Sequence, residues 1–212
     1  MKIKSFVFNP FQENTYIIYD ATKECVIIDP GCYSEAEKNT LKQFIENKKL
    51  KPVKLINTHC HIDHILGNKF TVEEWDIKLH IHKADLPLIE NAGEISRMYN
   101  LTNYEGSPYP KKFLSHGDLL TFGENSFKIL FTPGHAPGHI CLYNKENNIL
   151  IAGDLIFKES IGRTDLPGGD YNTLIQSITN NIIPLPKETK IFCGHGPSTN
   201  LDYEKKHNPF LQ

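Results

Sequence analysis

The 212-residue chain lacks most of the features that would assign it quickly. Lys and Arg number 23 against 25 Asp and Glu, a formal net charge of -2, so no overall basic balance points to nucleic acid or to an anionic membrane surface. No apolar run approaches the length of a bilayer span. The opening residues alternate polar and apolar like a strand and lack the continuous apolar core and cleavage site of a signal peptide, which makes the cytoplasm the expected location. The five cysteines form no Cys-x-x-Cys pair, which argues against a disulfide framework and against a zinc knuckle, and leaves most of them as buried thiols. There is no Gly-x-Ser-x-Gly elbow, no Gly-Lys-Ser/Thr phosphate loop and no Gly-x-Gly-x-x-Gly dinucleotide fingerprint.

What the chain does have is Thr58-His59-Cys60-His61-Ile62-Asp63-His64. In extended backbone His59 and His61 project to one side, while Asp63 and His64 turn with the start of a helix. Three imidazoles and a carboxylate then converge on one small volume, the donor set that zinc and similar divalent ions prefer. Cys60 alternates with the histidines and is expected to point away from them into the core.

Three further metal-type side chains follow strand-like runs in the second half: His135 in Thr-Pro-Gly-His-Ala-Pro-Gly-His, Asp154 in Ala-Gly-Asp, and His195 in Cys-Gly-His-Gly-Pro. Gly and Pro at strand ends let the backbone turn sharply and hold a polar side chain at a sheet edge. The total suits a two-metal site with a bridging carboxylate and water. His139, four residues after His135, reads as a group that backs a ligand or contacts substrate. His80, His82, His116 and His207 read as structural or surface residues.

Local patterns predict strands over residues 3–8, 15–19 and 25–29. A helix capped by Ser34 and Glu37 runs to about residue 48, followed by a strand over 53–57 and a helical stretch over 65–75. Residues 78–82 read as a strand and 83–90 as a short helix limited by Pro87. Residues 91–114, rich in Asn, Gly, Pro and Tyr, read as a long excursion. Strands over 119–122, 127–131, 140–143 and 149–152 follow, then a helix over 171–182 behind Asp170 and a last strand over 191–193. Two strand-then-helix halves favour two packed sheets with helices outside, in a single domain spanning residues 1–212.

The order His-x-His-x-Asp-His, then Gly-His, Gly-Asp and Gly-His, resembles the metallo-beta-lactamase superfamily over nearly the whole chain. The resemblance implies an α/β fold, a four-layer αββα sandwich of two mixed sheets packed face to face. It implies that His59, His61 and His135 bind one metal, Asp63, His64 and His195 bind a second, and Asp154 bridges them. Two divalent ions are thus expected, zinc first, with iron or manganese as alternatives. A hydroxide held between them would attack the substrate, with Asp63 and Asp154 as its carboxylate neighbours. Ile28-Asp29-Pro30-Gly31 also matches the family, in which the aspartate orients a ligand histidine; a strand-ending turn aspartate is the other reading of Asp29.

Ile161-Gly162-Arg163-Thr164-Asp165 resembles a motif of glyoxalase II-like hydrolases and of persulfide dioxygenases, and the flanking residues look most like short bacterial glyoxalase II-like proteins. Arg163 either faces substrate or is salt-bridged within its loop. The chain ends soon after His195, so the glutathione contacts that full-length glyoxalase II takes from a helical C-terminal extension have no counterpart to carry over. The resemblance implies a hydrolase of small thioesters such as an S-acylglutathione, acting as monomer or homodimer without nucleic-acid or membrane partners. A mononuclear iron persulfide dioxygenase is the alternative. A secreted beta-lactamase is disfavoured by the absent signal peptide and by Asp154.

Overall fold

The structure, a computed structural model, describes Met1–Leu211. The described residues form two compact units, one of Met1–Phe113 with Thr121–Asn125 and one of Leu114–Leu120 with Ser126 onward.

The first unit opens with the expected antiparallel meander, β1 (Lys2–Phe8), β2 (Glu13–Tyr19) and β3 (Glu24–Ile28). Ile17, Ile27 and Ile28 are wholly buried, and each such side chain contributes roughly 1.5–3 kcal/mol relative to exposure. Helix α1 (Glu35–Lys48) carries the expected capping box of Ser34 and Glu37 and buries Leu41 and Ile45. It returns the chain to β4 (Lys51–Ile56), which pairs parallel with β3. Beyond β4 come a short helix α2 (Ile62–Ile65), α3 (Asn68–Trp75) and β5 (Leu79–Ile81), again parallel. The sheet order is β1-β2-β3-β4-β5-β6.

Helix α4 (Leu86–Met98) extends well past the short helix expected, into the first third of the predicted excursion. Pro87 sits in its first turn, where the missing N–H has no helical acceptor to lose, so proline starts this helix instead of limiting it. The irregular segment is therefore shorter, and ends in β6 (Lys112–Phe113), a two-residue edge strand too short to read as a pattern.

The second unit holds most of a six-stranded sheet in the order β14-β13-β10-β9-β8-β7. The strands are β7 (Leu119–Phe122), β8 (Asn125–Phe131), β9 (Ile140–Asn144), β10 (Ile149–Gly153), β13 (Lys190–Cys193) and β14 (Thr199–Asn200). A small hairpin, β11 (Ile156–Phe157) with β12 (Ser160–Ile161), lies between β10 and α5 (Tyr171–Ser177). Asp170 caps α5 through Thr173 N, and the helix continues as a π turn over Ile178–Ile182 that keeps Ile178 and Ile182 buried. Strand β13 is not the last: β14 and α6 (Leu201–His207) follow. Leu150, Ala152, Leu174, Ile178, Ile191 and Leu201 form the core of this unit.

In both sheets the predicted donors follow the C-terminal ends of strands: β4, β8, β10 and β13. No helix among the described residues is long and apolar enough to cross a membrane.

Candidate metal centre

In the first unit the loop after β4 is held by groups remote in sequence. Asp29, buried and at a positive φ of 48°, accepts from Thr58 N at 2.7 Å and from the Thr58 hydroxyl at 2.6 Å. The buried Asp85 accepts from Cys60 N at 2.9 Å. Asn57 donates to His64 O at 3.0 Å and Asn9 to Asp63 O at 2.9 Å. Asp85 and Asn9 were not legible as site residues, because nothing local to either marks a contact tens of residues away.

So anchored, the rings of His59 and His61 lie edge to face with centroids 4.8 Å apart, and those of His59 and His64 are 4.1 Å apart. Cys60 points into the apolar core, as its alternation with the histidines predicts. His64 is fully buried; its Nδ1 faces Asp29 Oδ2 at 3.2 Å and its Nε2 faces Asp63 Oδ2 at 3.5 Å. Glu13, also fully buried, lies with Oε1 3.9 Å from His64 Nδ1. Burial pushes its carboxyl well above the usual range, against the opposing pull of His64.

The second unit repeats that arrangement. His135 Nδ1 lies 2.7 Å from the Arg163 carbonyl, and its Nε2 faces Asp154 Oδ2 at 3.5 Å. His195 Nε2 meets the same carboxylate oxygen at 3.5 Å. Gly153, at φ 49°, turns the end of β10 so that Asp154 leaves the strand. Gly162 must be glycine for space: a Cβ there would stand 1.9 Å from Asp154 O and 3.1 Å from His135 Nδ1.

The donors fit divalent metal. Zinc takes imidazole nitrogen and carboxylate oxygen at about 2.0–2.2 Å, which puts tetrahedral neighbours roughly 3.4 Å apart. The facing Nε2 and Oδ2 atoms of His64 with Asp63, His135 with Asp154, and His195 with Asp154 match that edge. The inner nitrogens of His64 and His135 are turned to a carboxylate and to a carbonyl, the usual way a ligand imidazole has its orientation fixed.

Two predicted substrate contacts look different in the structure. His139 is wholly buried, with Nδ1 2.9 Å from Thr132 Oγ1 and Nε2 accepting from Asp154 N at 3.1 Å. Of the two readings of His139, backing a ligand describes this geometry; proximity in sequence to His135 could not reveal that its ring turns inward. Arg163 is held by Asp165 through two hydrogen bonds of 2.7 Å, and the pair lowers the Asp165 carboxyl to about 2. Of the two readings of Arg163, the salt-bridged loop describes this geometry. The remaining histidines keep ordinary roles: His80 Nδ1 lies against the Lys78 and Leu55 carbonyls, and His207 packs on Tyr203.

Two mixed sheets with imidazole and carboxylate donors at their strand ends define a metallohydrolase-type protein, and a family match gives this its specific form. Residues 8–195 match the metallo-beta-lactamase superfamily, and the chain belongs to it. Among curated relatives, the probable metallo-hydrolase YqgX of Bacillus subtilis is 36% identical over 212 residues, covering 100% of this chain and 98% of its own. The hydroxyacylglutathione hydrolase GloC of Haemophilus influenzae is 38% identical over 216 residues, with coverage of 100% and 98%. Among solved structures, BLEG-1 B3 metallo-beta-lactamase superposes with TM-score 0.90 at 34% identity, covering all of both chains. TTHA1623, crystallised in a di-iron-bound form, gives 0.88 at 37%, covering 98% of this chain and 100% of that one. ETHE1 from Myxococcus xanthus gives 0.80 at 25%, covering 99% and 84%. The fold is thus the metallo-beta-lactamase fold expected from the sequence.

Proposed function

We propose that the chain is a binuclear metal-dependent hydrolase of small thioesters, of the S-acylglutathione type, built as one metallo-beta-lactamase-fold domain. The observation that carries the metal part is the repeated arrangement of an imidazole whose Nε2 faces a carboxylate oxygen at 3.5 Å, once in the first unit and twice in the second. His59, His61 and His135 would hold one ion, Asp63, His64 and His195 the other, and Asp154 would serve both. Zinc is the first candidate, while the di-iron form of TTHA1623 keeps iron in view. When bound, such ions acidify water and polarise a carbonyl.

The chain's own residues have separable tasks. Asp29 fixes Thr58 and faces the inner nitrogen of His64; the Arg163 carbonyl does the same for His135. With ions bound, Asp63 and Asp154 would be the carboxylates beside the water that the ions acidify. Tyr104, from the irregular segment after α4, helps line a cleft of about 740 Å³ in the first unit together with Ile89, Ser96, Arg97 and Leu101; none of the seven donor residues lines it. The similarity to GloC supports the thioester. The protein is read as working in the cytoplasm, as a monomer or homodimer.

The second reading, a mononuclear iron persulfide dioxygenase, is favoured by Gly162-Arg163-Thr164-Asp165 and by the likeness to ETHE1. Elemental analysis joined to a panel of S-lactoylglutathione, glutathione persulfide with oxygen, and a beta-lactam separates the readings. Two metals per chain with thioester turnover is the expected result. One iron with oxygen uptake, or beta-lactam turnover alone, overturns the proposal. Replacing His59 and His61 together by Ala should remove metal and turnover at once; turnover persisting without metal would sink the mechanism.

A further inference from the structure

Thr132 follows β8, His139 precedes β9, Cys141 lies within β9, and Ala152 and Asp154 stand at the end of β10. Thr132, His139, Cys141 and Ala152 are wholly buried and Asp154 is nearly so. Their polar atoms make one circuit. The N–H of Asp154 points at His139 Nε2 from 3.1 Å. A backbone amide can only donate, so Nε2 is the unprotonated nitrogen and the neutral ring carries its proton on Nδ1. Nδ1 then donates to Thr132 Oγ1 at 2.9 Å. The threonine hydroxyl proton is left for Cys141 Sγ at 3.4 Å or His139 O at 3.5 Å. Cys141 Sγ in turn lies 3.5 Å from Ala152 O, two residues before Asp154.

The other face of the same peptide region is closed as well, because Gly162 packs so tightly on the Asp154 carbonyl that a Cβ would stand 1.9 Å from it. The backbone that carries the shared carboxylate is therefore gripped from the amide side by an imidazole and from the carbonyl side by a glycine. A histidine that only filled core volume would need neither hydrogen bond, and an apolar residue would fill the space without the cost of burying a polar ring.

We infer that His139 is a positioning residue: it fixes the backbone of Asp154, and through it the aim of the carboxylate that serves both metals, with Thr132 accepting the Nδ1 proton of the tautomer that makes this possible. The inference rests on the metal assignment above. It assigns no substrate contact to His139 and adds Thr132 to the residues on which metal affinity depends.

The test compares the full chain with His139→Gln, His139→Asn, His139→Leu and Thr132→Val. Each is stripped of metal, checked for folding by circular dichroism and thermal melting, and titrated calorimetrically with zinc alone. A glutamine carbonyl reaches the place of Nε2 and can still accept from Asp154 N, whereas an asparagine amide reaches only the place of Nδ1. Wild type and His139→Gln are expected to take two zinc ions with affinities within about 3-fold. His139→Asn and His139→Leu should lose about 10–100-fold at the weaker-held ion, the range usual when an outer hydrogen bond to a metal site is removed. Thr132→Val should lose about 10-fold. A change in melting temperature without a change in zinc affinity is the signature of a merely structural role and overturns the inference. If His139→Leu does not fold, equal affinities in the Gln and Asn variants, or an unchanged affinity in Thr132→Val, overturn it as well. A wild-type chain that takes no zinc removes the metal reading and this inference with it. Wild-type binding of two ions, matched by folded variants, removes this inference alone.

Discussion

Single atoms decide this site. Gly162 shows it most directly, because its role is the absence of a side chain. A methyl group there would overlap the Asp154 carbonyl at 1.9 Å and crowd His135 Nδ1 at 3.1 Å, so β10 or the β12 loop has to move. Gly162→Ala is expected to lower metal affinity and turnover together, each by about 100-fold or more, since a shift near 1 Å at a catalytic constellation is costly. Parallel zinc titration and thioester assays check this; an unchanged affinity would show that the loop can yield. The same grain explains what could be read beforehand. His59, His61, Asp63, His64, His135, Asp154 and His195 carry their chemistry in their own side chains and announce it by spacing. Asp85, Asn9 and the Arg163 carbonyl act by holding a backbone or a ring from far along the chain, and no local pattern marks such a residue. His139 was visible as a neighbour of His135, but which way its ring turns depends on the pairing of β8, β9 and β10.

At the scale of elements, legibility followed length and chemistry. Helix α1 was readable end to end because Ser34 and Glu37 state its start: Ser34 accepts from Glu37 N, and the Glu37 carboxylate accepts from Ser34 N at 2.8 Å. Strands β6 and β14, two residues each, hold no periodicity to read and exist because a neighbouring strand offers its edge. Helix α4 was underestimated because proline was weighed as a breaker, although in a first turn it is favourable. Glu37 does more than cap, since it also accepts from Asn9 N at 2.6 Å and from Tyr33 N at 2.9 Å, and Asn9 in turn holds the carbonyls of Gly31 and Asp63. Ser34→Ala removes one cap bond and is expected to cost about 1 kcal/mol. Glu37→Ala strands three backbone donors and should cost about 2–3 kcal/mol, with weaker zinc binding because Asn9 loses its anchor. Urea unfolding of the two variants measures the difference. Equal destabilisation would mean that Glu37 acts only as a cap.

For the molecule as a whole, the question is whether metal makes the fold or only completes it. Small zinc domains lack a core and unfold without their ion. This chain has the opposite construction. Each unit buries its own set of apolar side chains, and all five cysteines are buried, with burial holding the thiols of Cys25, Cys141 and Cys193 up to about 12. Chelation should therefore leave the strands, helices and thiol protection in place while removing only the binding contribution. An ion present at 100 times its dissociation constant adds about 2.7 kcal/mol to a folded state that alone binds it. For the two ions together, in a chain of this size, that corresponds to about 10–20 °C in Tm. The expected outcome after exhaustive treatment with a chelator is an unchanged far-ultraviolet spectrum and no reaction of native protein with a thiol reagent at pH 8. All five thiols should react in guanidinium chloride, and zinc should restore Tm by that amount. Rapid thiol reaction in the metal-free protein would instead place the ions among the elements that hold the fold. The burial of Cys60, directly between His59 and His61, makes that reagent a sensitive probe, since opening of the histidine loop would expose this thiol before the rest of the core gives way.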